Sequence, residues 1–250
     1  MRTSPDMSNP ATDSTNPGTA RVICVLGMHR SGTSCLMGSL QKAGVHLGKH
    51  HTWNKYNQRG NRENQDIVDL NDEVLKYSGG SWDSPPRQLR FTDEHLERAR
   101  AIVVSFPPDM HWGFKDPRVL FTLPLWERAF DGDYQRIGIF RHPLAVAASL
   151  GFREGSQVMP EERALEIWTV YNRRLVQEHR RRPFPLLCFD WPEELFHERL
   201  NREHEALGLP PVAQDNRFYN AGLKNYDSRD KSIIPWKQRR LYSKLLSLAA

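Results

Sequence analysis

The sequence predicts an α/β fold in which a central parallel sheet is flanked by helices. Three observations predict it. Short apolar runs alternate along the chain with longer amphipathic segments, which is typical of strands joined by crossover helices. The apolar runs are rich in aliphatic and aromatic residues, as strands buried on both faces are. A glycine-rich turn joins the first run to the first amphipathic segment, a strand–turn–helix order in which the turn often binds a ligand.

Four runs have the length and composition of buried strands. They are Val22–Leu26, Trp112–Lys115, Ile137–Phe140 and Leu186–Phe189. Gly27 interrupts the first run, and Pro117 ends the second because proline lacks the N–H group that a sheet requires. Four parallel strands joined by helices would form one continuous sheet.

The amphipathic segments predict the helices. These run from Thr33 or Ser34 to near Gly44, from Arg62 to Gly79, from Asp93 to about Ser105, from Pro143, from Pro160 to about Arg182, and from Pro192. Ile67, Leu70 and Val74 recur at the spacing of one helix face. Thr92 is a suitable N-cap, and proline is favoured in the first turn of a helix. Residues 45–61 are polar and predict a loop, and residues 236–248 form a further amphipathic stretch.

Composition limits the class of protein. The 250 residues include 38% hydrophobic ones, enough for a sizeable core. No apolar run approaches 18 residues, so no membrane-spanning helix is expected. Residues 1–20 are polar and predict a disordered lead-in to a single domain over residues 21–250. They contain no apolar stretch, so no secretory signal is expected. We therefore expect a cytoplasmic protein.

The charge favours an anionic ligand without requiring nucleic acid. Lysine and arginine number 35 against 30 acidic residues, a net charge of +5. Arg180–Arg182 is predicted as a solvated helix end that complements the helix dipole. Cys24, Cys35 and Cys188 are too few and too widely spaced for a disulfide framework, and without a CxxC or HExxH pattern no metal site is expected.

The strongest motif is the turn after the first strand. It reads Gly27-Met28-His29-Arg30-Ser31-Gly32-Thr33-Ser34. Its two glycines permit a tight turn that presents backbone N–H groups, and the following helix N-terminus favours negative charge. Arg30, Ser31, Thr33 and Ser34 add side-chain donors, and His29 belongs to the same candidate binding loop. The segment predicts a site for a phosphate or a similar oxyanion.

One departure bears on the choice of oxyanion. The glycines have the spacing of a nucleoside-triphosphate loop, but Thr33 stands where such a loop has its lysine, and the cation is Arg30 instead. This departure disfavours a kinase or NTPase, because the lysine that contacts the β- and γ-phosphates is missing. It remains an alternative.

With these residues the sequence resembles the sulfotransferases that use 3′-phosphoadenosine 5′-phosphosulfate, in the branch of bacterial and tyrosylprotein enzymes. Gly27–Ser34 is similar to their 5′-phosphosulfate loop. The segment from Ile139 is similar to their 3′-phosphate-binding segment, with Arg141 at a strand end and Ser149 eight residues later. The resemblance implies a P-loop-like three-layer fold.

Two further segments resemble that branch. Residues 57–63, followed by Leu70-Asn71-Asp72, are similar to the segment that carries the catalytic glutamate, here Glu63. Lys115-Asp116-Pro117 is similar to the segment that carries a catalytic lysine. Other candidates for the base are His46, His50, His51 and His111. Basic residues that close over the nucleotide in relatives have candidates here in Lys224, Arg229 and Lys231.

The resemblance implies sulfuryl transfer from that donor, with 3′,5′-ADP as the product. Glu63 would take the proton of the acceptor, Lys115 would stabilise the bridging oxygen, and Arg30 would bind the phosphosulfate. Trp53, Trp82 and Trp191 are candidates to stack on the adenine. The acceptor is expected to be a small molecule, a glycan or a tyrosyl group, and no nucleic acid or membrane partner is expected. A non-catalytic nucleotide- or glycan-binding relative is a further alternative.

Overall fold

The structure is a computed structural model that describes residues 21–52, 60–130, 134–151, 159–214, 217–218 and 234–250. Its centre is a sheet of four parallel strands in the order β2-β1-β3-β4. The strands are β1 (Val22–Leu26), β2 (Trp112–Lys115), β3 (Tyr134–Phe140) and β4 (Leu186–Cys188). The predicted α/β class with a parallel sheet is confirmed. Residues 1–20, predicted as a lead-in, lie outside the described residues.

Eight helices are found in the described residues. They are α1 (Thr33–Lys42), α2 (Gln65–Tyr77), α3 (Asp93–Val104), α4 (Val119–Phe130), α5 (Pro143–Gly151), α6 (Glu161–Arg181), α7 (Glu193–Ala206) and α8 (Trp236–Leu248). Residues next to the helix starts explain where several of these helices begin. Thr92 caps α3 by accepting from the His95 N–H group, and Pro160 and Pro192 stand directly before α6 and α7. None of the described helices is long and apolar enough to span a membrane.

The two faces of β1 build two separate cores, which makes the molecule three-layered. Cys24 and Leu26 pack into a cluster with residues of α2, α3, α4 and α6. Ile23 and Val25 point to the opposite face and pack with residues of α1 and α7. Successive side chains of a strand alternate between faces, so a continuous apolar run requires cover on both sides. The predicted helical layers are thus present.

Two details of the prediction are wrong. The second helix begins at Gln65, three residues later than predicted, because the Asn64 side chain accepts from the Asp66 and Ile67 N–H groups as an N-cap. Glu63, which lies inside the predicted helix, therefore precedes the observed one. The helix α4 was not predicted. Its residues are apolar almost all round and Pro124 lies within it, so it shows neither an amphipathic period nor an uninterrupted helical composition.

The three cysteines are free thiols, as expected. Cys24 and Cys188 are buried, and Cys35 is half-buried. Burial raises the pKa of the Cys188 thiol to about 11, so this thiol stays protonated at neutral pH and acts as a small apolar side chain.

A buried histidine on α7 predicts acid sensitivity. His204 is fully buried, and neither ring nitrogen has a hydrogen-bond partner in the described structure. Burial lowers the pKa of His204 from 6.5 to about 4. Between these two values the unfolded chain binds a proton that the folded chain does not, so stability falls as pH falls through this window. We expect His204 to contribute a loss of up to about 3 kcal/mol in the free energy of unfolding on going from pH 7 to pH 4.

The measurement is urea unfolding at a series of pH values for the wild type and His204→Leu. Leucine has a similar volume and no titrating group, so the stability of the variant should depend less on pH between 6.5 and 4. Parallel pH profiles of the two proteins would contradict the assignment.

Candidate active site

All four strands end at the same edge of the sheet, and the predicted site residues gather there. The glycine-rich loop follows β1, Lys115 is the last residue of β2, and Arg141 follows the end of β3. Asp190 lies two residues beyond β4. Ligands of open α/β sheets bind at this carboxyl edge, so the fold alone brings segments distant in sequence to one place.

The glycine-rich loop is built for close packing. Gly32 has a φ of 92°, in the left-handed region that favours glycine. A Cβ atom there would lie 2.4 Å from the Phe189 ring. A Cβ atom on Gly27 would lie 2.5 Å from the carbonyl oxygen of Ile139. The loop is thus pressed against β3 and the segment after β4, so space requires both glycines, and backbone geometry also requires Gly32.

The start of α1 provides polar groups for an anion. Its N-cap is Gly32, which has no side chain to cap the first N–H groups of this helix. Ser31 is fully buried, and its Oγ atom has no hydrogen-bond partner within the described residues. A buried hydroxyl without a partner is costly unless a ligand satisfies it. The backbone and Ser31 together fit an oxyanion at this turn.

The two arginines and the serine of the predicted anion motifs meet. Arg30 Nε donates to Ser149 Oγ on α5 at 2.7 Å, and Arg141 Nη1 lies 3.4 Å from the carbonyl oxygen of Arg30. Arg30 has a φ of 65°, a conformation that costs energy in a non-glycine residue and is concentrated at functional sites. Ser149 was predicted to share a phosphate with Arg141, and its contact in this structure is with Arg30.

Arg141 is held in place from several sides. Its side chain is 7% exposed and pairs with Asp190 at 3.5 Å, and its guanidinium lies 5.1 Å from the centre of the Phe189 ring. Asp190 also accepts from the His142 N–H group at 2.6 Å, and the carbonyl oxygen of Arg141 accepts from Trp168. A guanidinium fixed in this way is preorganised to meet an anion.

The second pair of predicted catalytic residues is in direct contact. Lys115 Nζ lies 2.6 Å from Glu63 Oε1, and the two side chains are 3% and 12% exposed. Asn61 donates to the other Glu63 oxygen at 2.6 Å, and the Asn61 carbonyl accepts from Ser34 Oγ at 3.1 Å. This chain of contacts connects the first turn of α1 to the carboxylate and the lysine, so the two halves of the site are adjacent.

A buried network fixes the strand end that carries Lys115. Asp116 accepts from Asn71 on α2 at 2.7 Å and from Arg118 at 2.9 Å. Asn71 in turn accepts from Thr122 and Trp126 on α4. Burial raises the pKa of Asp116, and the Arg118 charge opposes that shift. The network explains why Asn71 and Asp116 are polar within a core: their side chains bind each other.

Aromatic residues border the loop on one side. The His29 ring lies 5.0 Å from Trp82 and 6.0 Å from Tyr171, edge to face. The Tyr171 hydroxyl donates to the carbonyl oxygen of Trp82. Of the three tryptophans considered for the adenine, Trp82 is therefore next to the anion loop, Trp191 lies against the α7 residue Arg199, and Trp53 lies outside the described residues.

The histidines considered as bases lie on the segment before Glu63 or at the other end of the sheet. His51 contacts Gln65 through its ring and bonds Glu63 through its backbone N–H group. His46 and His50 bond within their own turn, and His111 accepts from the backbone of Arg21. In the part of the chain that the structure describes, no three His, Cys, Asp or Glu side chains form a metal-binding group.

Some site residues were predicted only in part or not at all. Asp190 appeared in the sequence only as a carboxylate after an apolar run, and its role in holding Arg141 depends on the β3–β4 pairing. Asn61 lay inside a matched segment without an assigned role. Residues 57–59 of that segment, and the C-terminal candidates Lys224, Arg229 and Lys231, lie outside the described residues.

The comparisons with known proteins concern the fold. No family model matches the sequence, and the search of curated proteins gave no match. Among solved structures, the chain is similar to one described as "Sulfotransferase Domain from the Synechococcus PCC 7002 Olefin Synthase", with a TM-score of 0.53 and 15% sequence identity over 93% of this chain and 96% of that chain. The chain thus has a sulfotransferase-like, P-loop-like α/β fold.

Proposed function

We propose that this protein is a sulfotransferase that moves a sulfuryl group from 3′-phosphoadenosine 5′-phosphosulfate to a hydroxyl or amine acceptor. The observation that carries the proposal is the convergence of four sequence segments at one edge of a sulfotransferase-like sheet. The anion loop, Arg141 with Ser149, Glu63 and Lys115 are far apart in sequence, and the structure links them by direct contacts.

The donor would be held at two anionic groups. The backbone N–H groups at the start of α1, with Ser31, Thr33 and Ser34, suit the 5′-phosphosulfate, since a helix N-terminus favours negative charge. Gly27, His29 and Gly32 shape this loop. Arg30 adds a positive charge beside it. The arginine-bearing loop supports placing the chain in the bacterial and tyrosylprotein branch.

The 3′-phosphate would bind between Arg141 and Ser149. A guanidinium binds a phosphate in two-pronged geometry, and Arg141 is already fixed by Asp190 and Phe189. Ser149 contacts Arg30 in this structure, so Arg30 and Ser149 form the boundary between the two anion subsites. A separate subsite for the 3′-phosphate would distinguish the donor from nucleotides that lack this group.

Glu63 and Lys115 would act on the transferred group. The acceptor oxygen or nitrogen forms a new bond to sulfur while its proton passes to Glu63. The bond between sulfur and the 5′-phosphate oxygen breaks, and that oxygen keeps the electron pair. Lys115 stabilises the charge that develops on this oxygen, which is electrostatic catalysis by a preorganised cation. Asn61 orients the carboxylate through its 2.6 Å hydrogen bond.

The direct test is transfer of label. Protein is mixed with ³⁵S-labelled donor and with phenolic, sugar and amine acceptors, and labelled product is separated and counted. We expect label in at least one acceptor class together with release of 3′,5′-ADP. Magnesium-dependent ATP hydrolysis without transfer would instead support a P-loop NTPase, and nucleotide binding without turnover would support a non-catalytic relative.

A further inference from the structure

A basic groove lies between α6 and α8, formed by residues that have no part in the proposed active site. Its volume is about 350 Å³. Five cations line it: Arg173, Arg180, Lys237, Arg240 and Lys244. One side of the groove is α8, the amphipathic stretch of residues 236–248 for which the sequence predicted no function. We define this set of residues as the α6–α8 groove.

The cations of the groove are not neutralised by the described structure. None of the five is in an ion pair with a described carboxylate, whereas the neighbouring Arg181 pairs with Glu127 and Glu178. Lys237 lies in the first turn of α8, which contains no acidic residue, so its charge opposes the helix dipole. Crowding five like charges destabilises the fold unless an anion binds there.

The longest segments outside the described residues do not carry a large excess of negative charge. The two longest segments outside the described residues, 1–20 and 219–233, carry one net negative and one net positive charge. Neither segment has a net negative charge near that of five carboxylates, which favours a partner protein as the source of the anionic groups.

The spacing of the cations indicates the shape of that partner. Arg173 and Arg180 are seven residues apart on α6, and Lys237 and Lys244 are seven apart on α8. Seven residues are two helical turns, about 10.5 Å. Acidic side chains at positions i, i+3 or i+4 and i+7 of a docked helix have the same repeat, so such a helix can meet a cation at each turn.

The apolar parts of the groove favour a peptide over other polyanions. Val176 and Leu241 also line the groove, and the third apolar lining residue, Trp236, is 64% exposed. An amphipathic helix places apolar side chains against such a floor. A single strand of nucleic acid is usually bound by several aromatic platforms, and here the one exposed tryptophan already lies 5.7 Å from Arg240. A flat bilayer would not fill a recess.

We propose that the α6–α8 groove binds an acidic amphipathic helix of a partner protein. Binding is driven by charge complementarity on the groove walls and by burial of apolar side chains against Val176, Leu241 and Trp236. The interaction should weaken as salt is added, because exposed charges are screened. It does not depend on the transferase activity proposed above.

The test uses the full-length protein and a fluorescent helical peptide with glutamates at i, i+3, i+4 and i+7 and leucines on the adjacent stripe, so that both kinds of side chain can face the groove. A second peptide has the same composition in an order that breaks the helical repeat. Fluorescence anisotropy gives both dissociation constants. We expect the ordered peptide to bind at least about tenfold more tightly, a difference of about 1.4 kcal/mol.

Variants locate the site. Lys237→Glu with Arg240→Glu should weaken binding of the ordered peptide by at least about tenfold, since each reversal adds repulsion. Lys76→Glu with Arg87→Glu makes the same change in net charge at exposed residues elsewhere and should leave the affinity within about twofold. Circular dichroism checks that both variants fold.

Three outcomes would overturn the proposal. One is equal affinity for the two peptides, and another is an equal loss in the groove and control variants. The third is that single-stranded DNA or phosphatidylglycerol vesicles bind the wild type, in a manner lost in the groove variant, while the ordered peptide does not bind.

Discussion

Glu63→Gln is expected to lower the rate of sulfuryl transfer by about 10²-fold or more, because general-base catalysis contributes roughly that much. Glutamine keeps the size of the side chain and its hydrogen bond to Asn61 but is a far weaker proton acceptor. The dissociation constant of 3′,5′-ADP should change little, since Glu63 contacts Lys115 and Asn61 and not the loop itself. Initial rates with labelled donor and calorimetric titration with 3′,5′-ADP measure the two quantities.

Lys115→Ala is the partner experiment. Removing the cation should lower the rate to a similar extent. It also leaves the Glu63 carboxylate, which is 12% exposed, without its ion-pair partner, so the free energy of unfolding must be measured as well.

Glu97→Gln is the matched control for Glu63→Gln, because Glu97 is an exposed carboxylate on α3 paired only with Arg100 among the described residues. A rate for Glu63→Gln equal to that of the control would contradict the assignment of the base.

Gly32→Ala is expected to abolish nucleotide binding and to destabilise the fold by at least about 2 kcal/mol. The alanine must adopt a left-handed backbone conformation, and its Cβ atom would lie 2.4 Å from the Phe189 ring. Phe189 also stacks with Arg141, so a shift of the ring disturbs both anion subsites. Chemical unfolding and titration with 3′,5′-ADP measure the two effects.

Gly44→Ala separates backbone strain from the clash. Gly44 has a φ of 100° and nothing lies within 4 Å of its Cβ position. Backbone strain alone should lower the free energy of unfolding of this variant, by roughly 1–2 kcal/mol, and the variant should bind nucleotide normally. If both variants bound 3′,5′-ADP like the wild type, the loop after β1 would not be the nucleotide site.

The elements closest to the proposed chemistry were the most predictable ones. The strand Val22–Leu26, the turn and the helix from Thr33 follow one another without a gap, and each has a local signal: β-branched residues, two glycines and a helical apolar stripe. Pro143 and Pro160 marked two helix starts for a local reason as well. These features depend on residues near in sequence, so one sequence suffices to find them.

Features that depend on contacts between residues distant in sequence were harder to predict from the sequence. The helix α4 is buried almost all round by the sheet and other helices, so its pattern carries no polar face to reveal it. Glu63 reaches Lys115 from the loop before α2 and not from a helix face, because Asn64 caps that helix. Asp190 holds Arg141 only because β3 and β4 are neighbours.

The central claim is that the loop after β1 and Arg141 together bind an adenosine nucleotide bearing a 3′-phosphate. The most direct measurement is calorimetric titration of the wild type with 3′,5′-ADP and with 5′-AMP. We expect 3′,5′-ADP to bind at least about tenfold more tightly, since a charge-assisted arginine–phosphate contact contributes more than about 1.4 kcal/mol, and we expect Arg141→Ala to remove that preference. Equal affinity for the two nucleotides would contradict the claim.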